Sequence, residues 1–199
     1  YDNQNLMSQK NTIQENIHDL PSLFQDALQL LKSLIAIPSF SKEEAATADC
    51  IQDFFHQHHV ECNRLKNNIW SKNVHFDPAK PTILLNSHHD TVRPNKGYTL
   101  DPFAPIEQDG KLFGLGSNDA GGCLVSLLTT YLYYYHKEGL LYNFVFVASA
   151  EEEISGTDGI ELVLKHLPKI DFGIVGEPTL LDMAIAERGL LVLDVVATG

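Results

Sequence analysis

Three apolar segments of this sequence run out into residues that bind metal ions or move protons. His88, His89 and Asp90 follow Thr82 to Asn86; Glu151, Glu152 and Glu153 follow Tyr142 to Ser149; and Glu177 follows Asp171 to Val175. Asp119 stands at the opening of the helical stretch between the first two. Taken singly, a histidine is most often structural, and an acidic triplet is most often a solvated helix start favoured by the helix dipole. Repetition at successive strand ends is different, because carboxylates brought within a few Å raise one another's pKa unless a positive charge compensates. A divalent cation is the natural compensation. Carboxylates alone would suit calcium or magnesium, but the imidazole of His88 moves the expectation to zinc or cobalt, with zinc first. By strand alternation His89 faces elsewhere. His56, His58 and His59 read as a solvated helix end.

The elements that must position these groups follow from periodicity. Leu20 to Ile37 carries apolar residues at helical spacing and stops at Pro38, and Ser41 with Glu44 three residues on reads as a capping box for a second helix reaching about His59. A strand is expected near Asn68 to Asn73, a buried one over Thr82 to Asn86, and an extended piece over Lys111 to Leu115. Ala120 to His136 reads as a helix opened by Gly121 and Gly122; Tyr142 to Ser149 as a strand; Gly159 to Leu167 as a helix; Asp171 to Val175 as a strand. Strand and helix in alternation predict an α/β fold with a largely parallel sheet. Ligands of such sheets sit beyond the carboxyl ends of the strands, so His88, Asp90, Asp119, Glu151 to Glu153 and Glu177 should share one rim.

Composition narrows the function. The 199 residues, 44% hydrophobic and 20% charged, suit one substantial core. A net charge of −12 without clustered Lys and Arg argues against a nucleic-acid partner. No apolar run approaches the roughly 20 residues of a membrane helix. Cys50, Cys62 and Cys123 are odd in number and far apart, which reads as reduced thiols and a cytoplasmic setting. The polar start, Tyr1 to Lys10, is no signal peptide; Met7-Ser8 reads as a natural start, so Tyr1 to Leu6 are set aside. Leu190 to Val196 runs like a strand that breaks off at Gly199, as in a piece of a longer protein.

Four motifs then carry a resemblance: Ser87-His88-His89-Asp90-Thr91-Val92; Gly114-Leu115-Gly116-Ser117-Asn118-Asp119-Ala120-Gly121-Gly122, preceded by Asp109 to Phe113; Ala150-Glu151-Glu152-Glu153; and Val175-Gly176-Glu177-Pro178-Thr179. Each alone is weak, but in this order and spacing they resemble the acetylornithine deacetylase and succinyl-diaminopimelate desuccinylase family of two-zinc amidohydrolases. The resemblance implies a three-layer α/β/α catalytic domain with a mainly parallel mixed sheet over residues 1–181, and the start of an inserted α+β dimerisation domain over 182–199. It implies two Zn2+ per subunit, with Co2+ as a substitute: His88 and Glu177 on one ion, Glu153 on the other, Asp119 bridging. Glu152 would be the general base and Glu151 a bystander. Asp90 would bind the imidazole nitrogen of His88 that is not on the metal. The family's further histidine ligand lies beyond residue 199, so this piece alone should be weakly active or inactive. The intact protein would be a homodimer.

Motif details are most similar to N-acyl-ornithine deacylases, implying N-acetyl- or N-succinyl-ornithine as substrate in arginine biosynthesis. Di- and tripeptidases, carboxypeptidases and succinyl-diaminopimelate desuccinylases are the alternative. A non-catalytic metal-binding scaffold would have no use for Glu152 beside Glu153, and a calcium rim would have none for His88. HExxH and GxSxG are both absent, so single-zinc proteases and serine hydrolases gain no support.

Overall fold

The computed structural model describes residues 20–180 and 182–186. Tyr1 to Leu6, Met7, Glu187 to Gly189 and the strand expected over Leu190 to Val196 lie outside the described residues. The first helix, α1 (Leu20–Ile35), buries Leu23, Leu30, Leu31, Leu34 and Ile35 along one stripe and ends before Pro38, whose ring disfavours helical geometry in the preceding residue. Helix α2 (Ala45–Gln57) buries Thr47, Ala48, Ile51, Phe54 and Phe55.

A hairpin follows, β1 (Asn63–Leu65) with β2 (Asn68–Lys72); only its second strand is legible in the sequence, because β1 has no buried apolar face. Strand β3 (Thr82–His88) carries the expected apolar run two residues further, delivering His88 at its last position. A small separate hairpin, β4 (Ile106–Gln108) and β5 (Lys111–Phe113), leads into helix α3 (Cys123–Tyr135). Then come β6 (Asn143–Ser149), a single 3-10 turn at Glu152–Ile154, the short helix α4 (Ile160–Leu164) and β7 (Phe172–Val175).

The main sheet has the order β1-β2-β6-β3-β7. Strand β3 runs parallel to β6 and β7, and β2 runs antiparallel to β6, which makes the sheet mixed as expected. Alternation sorts the strands between two cores.

 Leu85, Phe146 and Ala148 pack with Ile51, Phe55, Leu124, Leu128 and Tyr131 of the helices on one face, whereas Leu84, Val145 and Val147 pack with Val163 of α4 on the other. Three layers result, with α1, α2 and α3 on one side of the sheet and α4 on the other. Fully buried Tyr131 fills the centre of the larger core, its ring 5.8 Å from that of Phe146 and 6.2 Å from that of Phe55, and its hydroxyl donates to Ser71 Oγ at 2.7 Å. No helix among the described residues is long and apolar enough to cross a membrane.

Two local expectations are corrected. Ser41 and Glu44 form no capping box: Glu44 takes the cap position of α2 without a side-chain cap bond, and Ser41 Oγ donates instead to Asp90 Oδ2 at 2.7 Å. A buried carboxylate needs donors more than a helix end near solvent does, so the tertiary partner prevails. The helix expected from Ala120 begins only at Cys123, because Ser117–Gly122 forms an irregular turn. Asp119 there has φ −110° and ψ 102°, and the Asp119–Ala120 peptide bond is cis.

Candidate metal centre

The rim beyond β3, β6 and β7 gathers the residues that the sequence placed there. His88, at the end of β3, is almost wholly buried, and its Nε2 lies 3.2 Å from Asp119 Oδ1, 3.7 Å from Glu152 Oε2 and 3.8 Å from Glu177 Oε2. Its other nitrogen, Nδ1, is 3.3 Å from Asp90 Oδ1 and 3.0 Å from the Asp90 carbonyl oxygen. The imidazole therefore turns one edge to the rim and the other to a buried carboxylate.

Ligand atoms of two sets lie within 4.8 Å of one another, His88 with Glu152 and Glu177, and His88 with Asp119 and Glu153. The first differs from the grouping implied by the resemblance in bringing Glu152 as near to His88 as Glu177 is. Glu151 takes no place in either set; its side chain is buried away from the rim, against Gly156.

Asp119 reaches the rim because the turn before α3 folds back on itself. Gly116 sits in the left-handed region at φ 73°, and Gly121 donates its N–H to the Gly116 carbonyl at 2.9 Å. A Cβ on Gly121 would meet that carbonyl oxygen at 2.5 Å, so only glycine allows this closure.

The acidic turn after β6 is held from beneath. Asp90, fully buried, accepts the backbone N–H of Glu152 at 3.0 Å through Oδ1 and that of Glu153 at 3.2 Å through Oδ2. Burial alone would raise the Asp90 carboxyl, but the hydrogen bonds from His88, Ser41 and the Glu152 N–H outweigh it and hold the group below the usual carboxylate range. The neighbouring Glu151 N–H donates to Glu44 Oε1 at 3.1 Å, a distant partner that the capping-box spacing of Glu44 disguises in the sequence.

His89 points away from the rim. Its Nε2 donates to the Asn67 carbonyl at 2.9 Å, which leaves Nδ1 as the acceptor facing Thr47 Oγ1 at 2.9 Å. Burial pushes this imidazole below its ordinary value, keeping it neutral.

Electrostatics at the rim are those of a site short of positive charge. Burial disfavours the cationic form of His88, but Asp90, Glu177 and Glu152 overcome it and push the imidazole up to about 9. Burial pushes Glu177 up to about 7; Glu152, Asp119 and Glu153 add to the rise and His88 opposes it. Burial, followed by Asp119, also raises Glu153. One imidazole among four carboxyl groups is a donor set that fits a divalent transition-metal cation, which would replace the protons now balancing the charge.

The His88 and Glu177 shifts have the same sign. A raised pKa stabilises the metal-free fold at low pH; the Glu177 contribution is lost as pH rises through about 7, and that of His88 as it rises from 6.5 through about 9. Zinc titrated into the metal-free protein near neutral pH should therefore release protons, with an apparent affinity rising about tenfold per pH unit for each proton displaced. Calorimetry in two buffers of different ionisation enthalpy checks this, since equal heats would show that no proton leaves.

The family model of peptidase family M20/M25/M40 matches residues 84–188. A succinyl-diaminopimelate desuccinylase from Buchnera aphidicola is 32% identical over 166 residues, covering 76% of this chain and 42% of that protein. The chain spans less than half the length of the curated relatives it matches. Among solved structures, an M20 family metallo-carboxypeptidase from Sulfolobus solfataricus superposes with a TM-score of 0.63 at 23% identity, over 75% of this chain and 37% of that one. Human carnosine dipeptidase 1 gives a TM-score of 0.61 at 20% identity, over 77% of this chain and 38% of that one. The matched segment begins within β3, runs through every strand end of the rim and takes in more than half of the sequence: this chain belongs to peptidase family M20/M25/M40.

Proposed function

We propose that this chain carries most of the metal centre of a hydrolase that cleaves the amide bond of a small acylated amino acid or short peptide. The observation that supports it best is His88, with Asp119, Glu152 and Glu177 within 3.8 Å of its outward nitrogen and Asp90 behind it. His88, Asp119, Glu153 and Glu177 are the residues that would hold two divalent ions, zinc first. Bound there, such ions would supply Lewis acidity toward the scissile carbonyl and toward water.

Glu152, with a side chain half exposed to the rim, removes the proton from the attacking water and passes it to the leaving amine nitrogen. Its neighbour Glu153 holds metal because the 3-10 turn aims consecutive side chains in different directions. Asp90 orients His88 and anchors both glutamates through their backbone amides. In the intact protein, residues 1–181 belong to a catalytic domain and 182–199 open an inserted domain, which completes a cytoplasmic homodimer.

Two substrate readings stand side by side. The motif details favour N-acetyl- or N-succinyl-ornithine in arginine biosynthesis. The Buchnera relative, a succinyl-diaminopimelate desuccinylase, favours a succinylated diamino acid equally, and the dipeptidase and carboxypeptidase neighbours keep peptides in the set. The full-length protein, loaded with zinc or cobalt, should hydrolyse one class among N-acetylornithine, N-succinylornithine, N-succinyl-diaminopimelate and a dipeptide panel, and lose that activity on chelation. Binding of two metals with no turnover would remove the substrate proposal; binding of none would remove the metal centre.

A further inference from the structure

Glu44 lies beneath the rim, and the proposed chemistry does not use it. It is fully buried at the turn before α2, yet its oxygens face away from that helix. Oε1 accepts the backbone N–H of Lys42 at 2.7 Å and that of Glu151 at 3.1 Å, and Oε2 accepts Asn67 Nδ2 at 2.9 Å. With Asp90, this gives each of three consecutive amides a buried carboxyl partner: Glu151 on Glu44, Glu152 and Glu153 on Asp90.

The first amide of the three sets the direction of the other two. Glu151 sits in the left-handed region at φ 54° and ψ 25°, a conformation that a residue other than glycine, asparagine or aspartate adopts rarely. It persists only where surrounding contacts over-determine it. Here the Glu44 bond holds the N–H of Glu151, and Gly156 donates to its carbonyl at 2.8 Å. Released from Glu44, Glu151 would relax toward the ordinary regions and turn Glu152 and Glu153 off the rim.

The platform under Glu44 is itself tied to the metal-bearing strand. Asn67, which donates to Glu44, accepts His89 Nε2 through its carbonyl, and the Thr47 hydroxyl proton is shared between His89 Nδ1 and the Glu44 carbonyl. Consecutive residues of one chain segment thus serve opposite sides: His88 meets the reaction, and His89 supports the residue that places the base.

We propose that Glu44 is a positioning residue for amide cleavage, holding Glu151 left-handed so that Glu152 and Glu153 meet His88 and Asp119. The inference rests on the assignment of Glu152 as base, so Glu152→Gln is measured beside Glu44→Ala and Glu44→Gln in the full-length protein. Glu44→Ala should lower kcat by about 10- to 100-fold with KM within about threefold of the parent. In the metal-free protein, the amides of residues 151–153 should exchange with solvent deuterium at least about tenfold faster, while those of β6 stay unchanged.

Glu44→Gln keeps an oxygen for Lys42 and Glu151, and the Asn67 amide can flip to face the new NH2, so it should restore kcat to within about threefold. Glu44→Ala with parental exchange at 151–153, or with kcat within about twofold of the parent, would overturn the proposal. Glu44→Gln as impaired as Glu44→Ala would do the same. If Glu152→Gln keeps full turnover, the base assignment is what fails, and the exchange result alone decides the placement of Glu44.

Discussion

Glu152→Gln should turn over its substrate about 10³-fold more slowly than the parent while taking up the same two metals. Glutamine keeps the size of the side chain and a carbonyl oxygen, but it cannot carry a proton from water to a leaving amine. Because Glu152 Oε2 is 3.7 Å from His88 Nε2, as close as the oxygen of Glu177, the alternative role to separate is that of metal ligand. Metal content by atomic emission and kcat on the best substrate of the panel separate the two. Loss of turnover with both metals retained supports the base. Loss of one metal would make Glu152 a ligand and leave the base to be sought elsewhere, and unchanged turnover would exclude it from both roles.

Asp90→Ala should be the most damaging substitution for fold and activity together. The carboxylate is fully buried and serves four donors at once: Ser41 Oγ, the backbone amides of Glu152 and Glu153, and His88 Nδ1. Alanine keeps only the backbone carbonyl that faces His88 Nδ1 at 3.0 Å and strands Ser41 Oγ and the two amides where water replaces the carboxylate poorly, a loss of about 3 kcal/mol in stability. Metal affinity or activity should fall by roughly 100-fold through misorientation of His88.

Denaturant unfolding of metal-free parent and variant measures the first effect, and its pH dependence identifies the cause. A carboxylate held below its ordinary pKa contributes stability that is present above the unfolded-state value and lost as the pH falls through the folded-state value. The gap between parent and variant should therefore close in acid. A gap that persists there would show that packing, rather than charge and hydrogen bonding, is what Asp90 supplies.

Much of this site is written locally. Alternation in Thr82–His88 and Asn143–Ser149 fixes which side chains enter which core, and the polar residues that follow each strand then fall on a common rim. The helical stripe of Leu20–Ile35 and its stop before Pro38 are equally local, since both depend on neighbours within a turn or two. The net charge and the motif order belong to the same class.

What the sequence could not contain was the choice of partner over distance. Ser41 and Glu44 have the spacing of a capping box, yet they bind Asp90 and the Glu151 amide, the latter 107 positions along the chain. Asp119 reads as the start of a helix, but two glycines and a closed turn bring it 3.2 Å from His88 instead. The grouping of four carboxyl groups around one imidazole, and the raised His88 and Glu177 that follow from it, exist only once the strands are side by side. Periodicity is set by the covalent geometry of a few adjacent residues and is therefore legible in one dimension. Partner choice among buried polar groups is set by which desolvated donors and acceptors meet, and that is decided only when the sheet brings distant segments together.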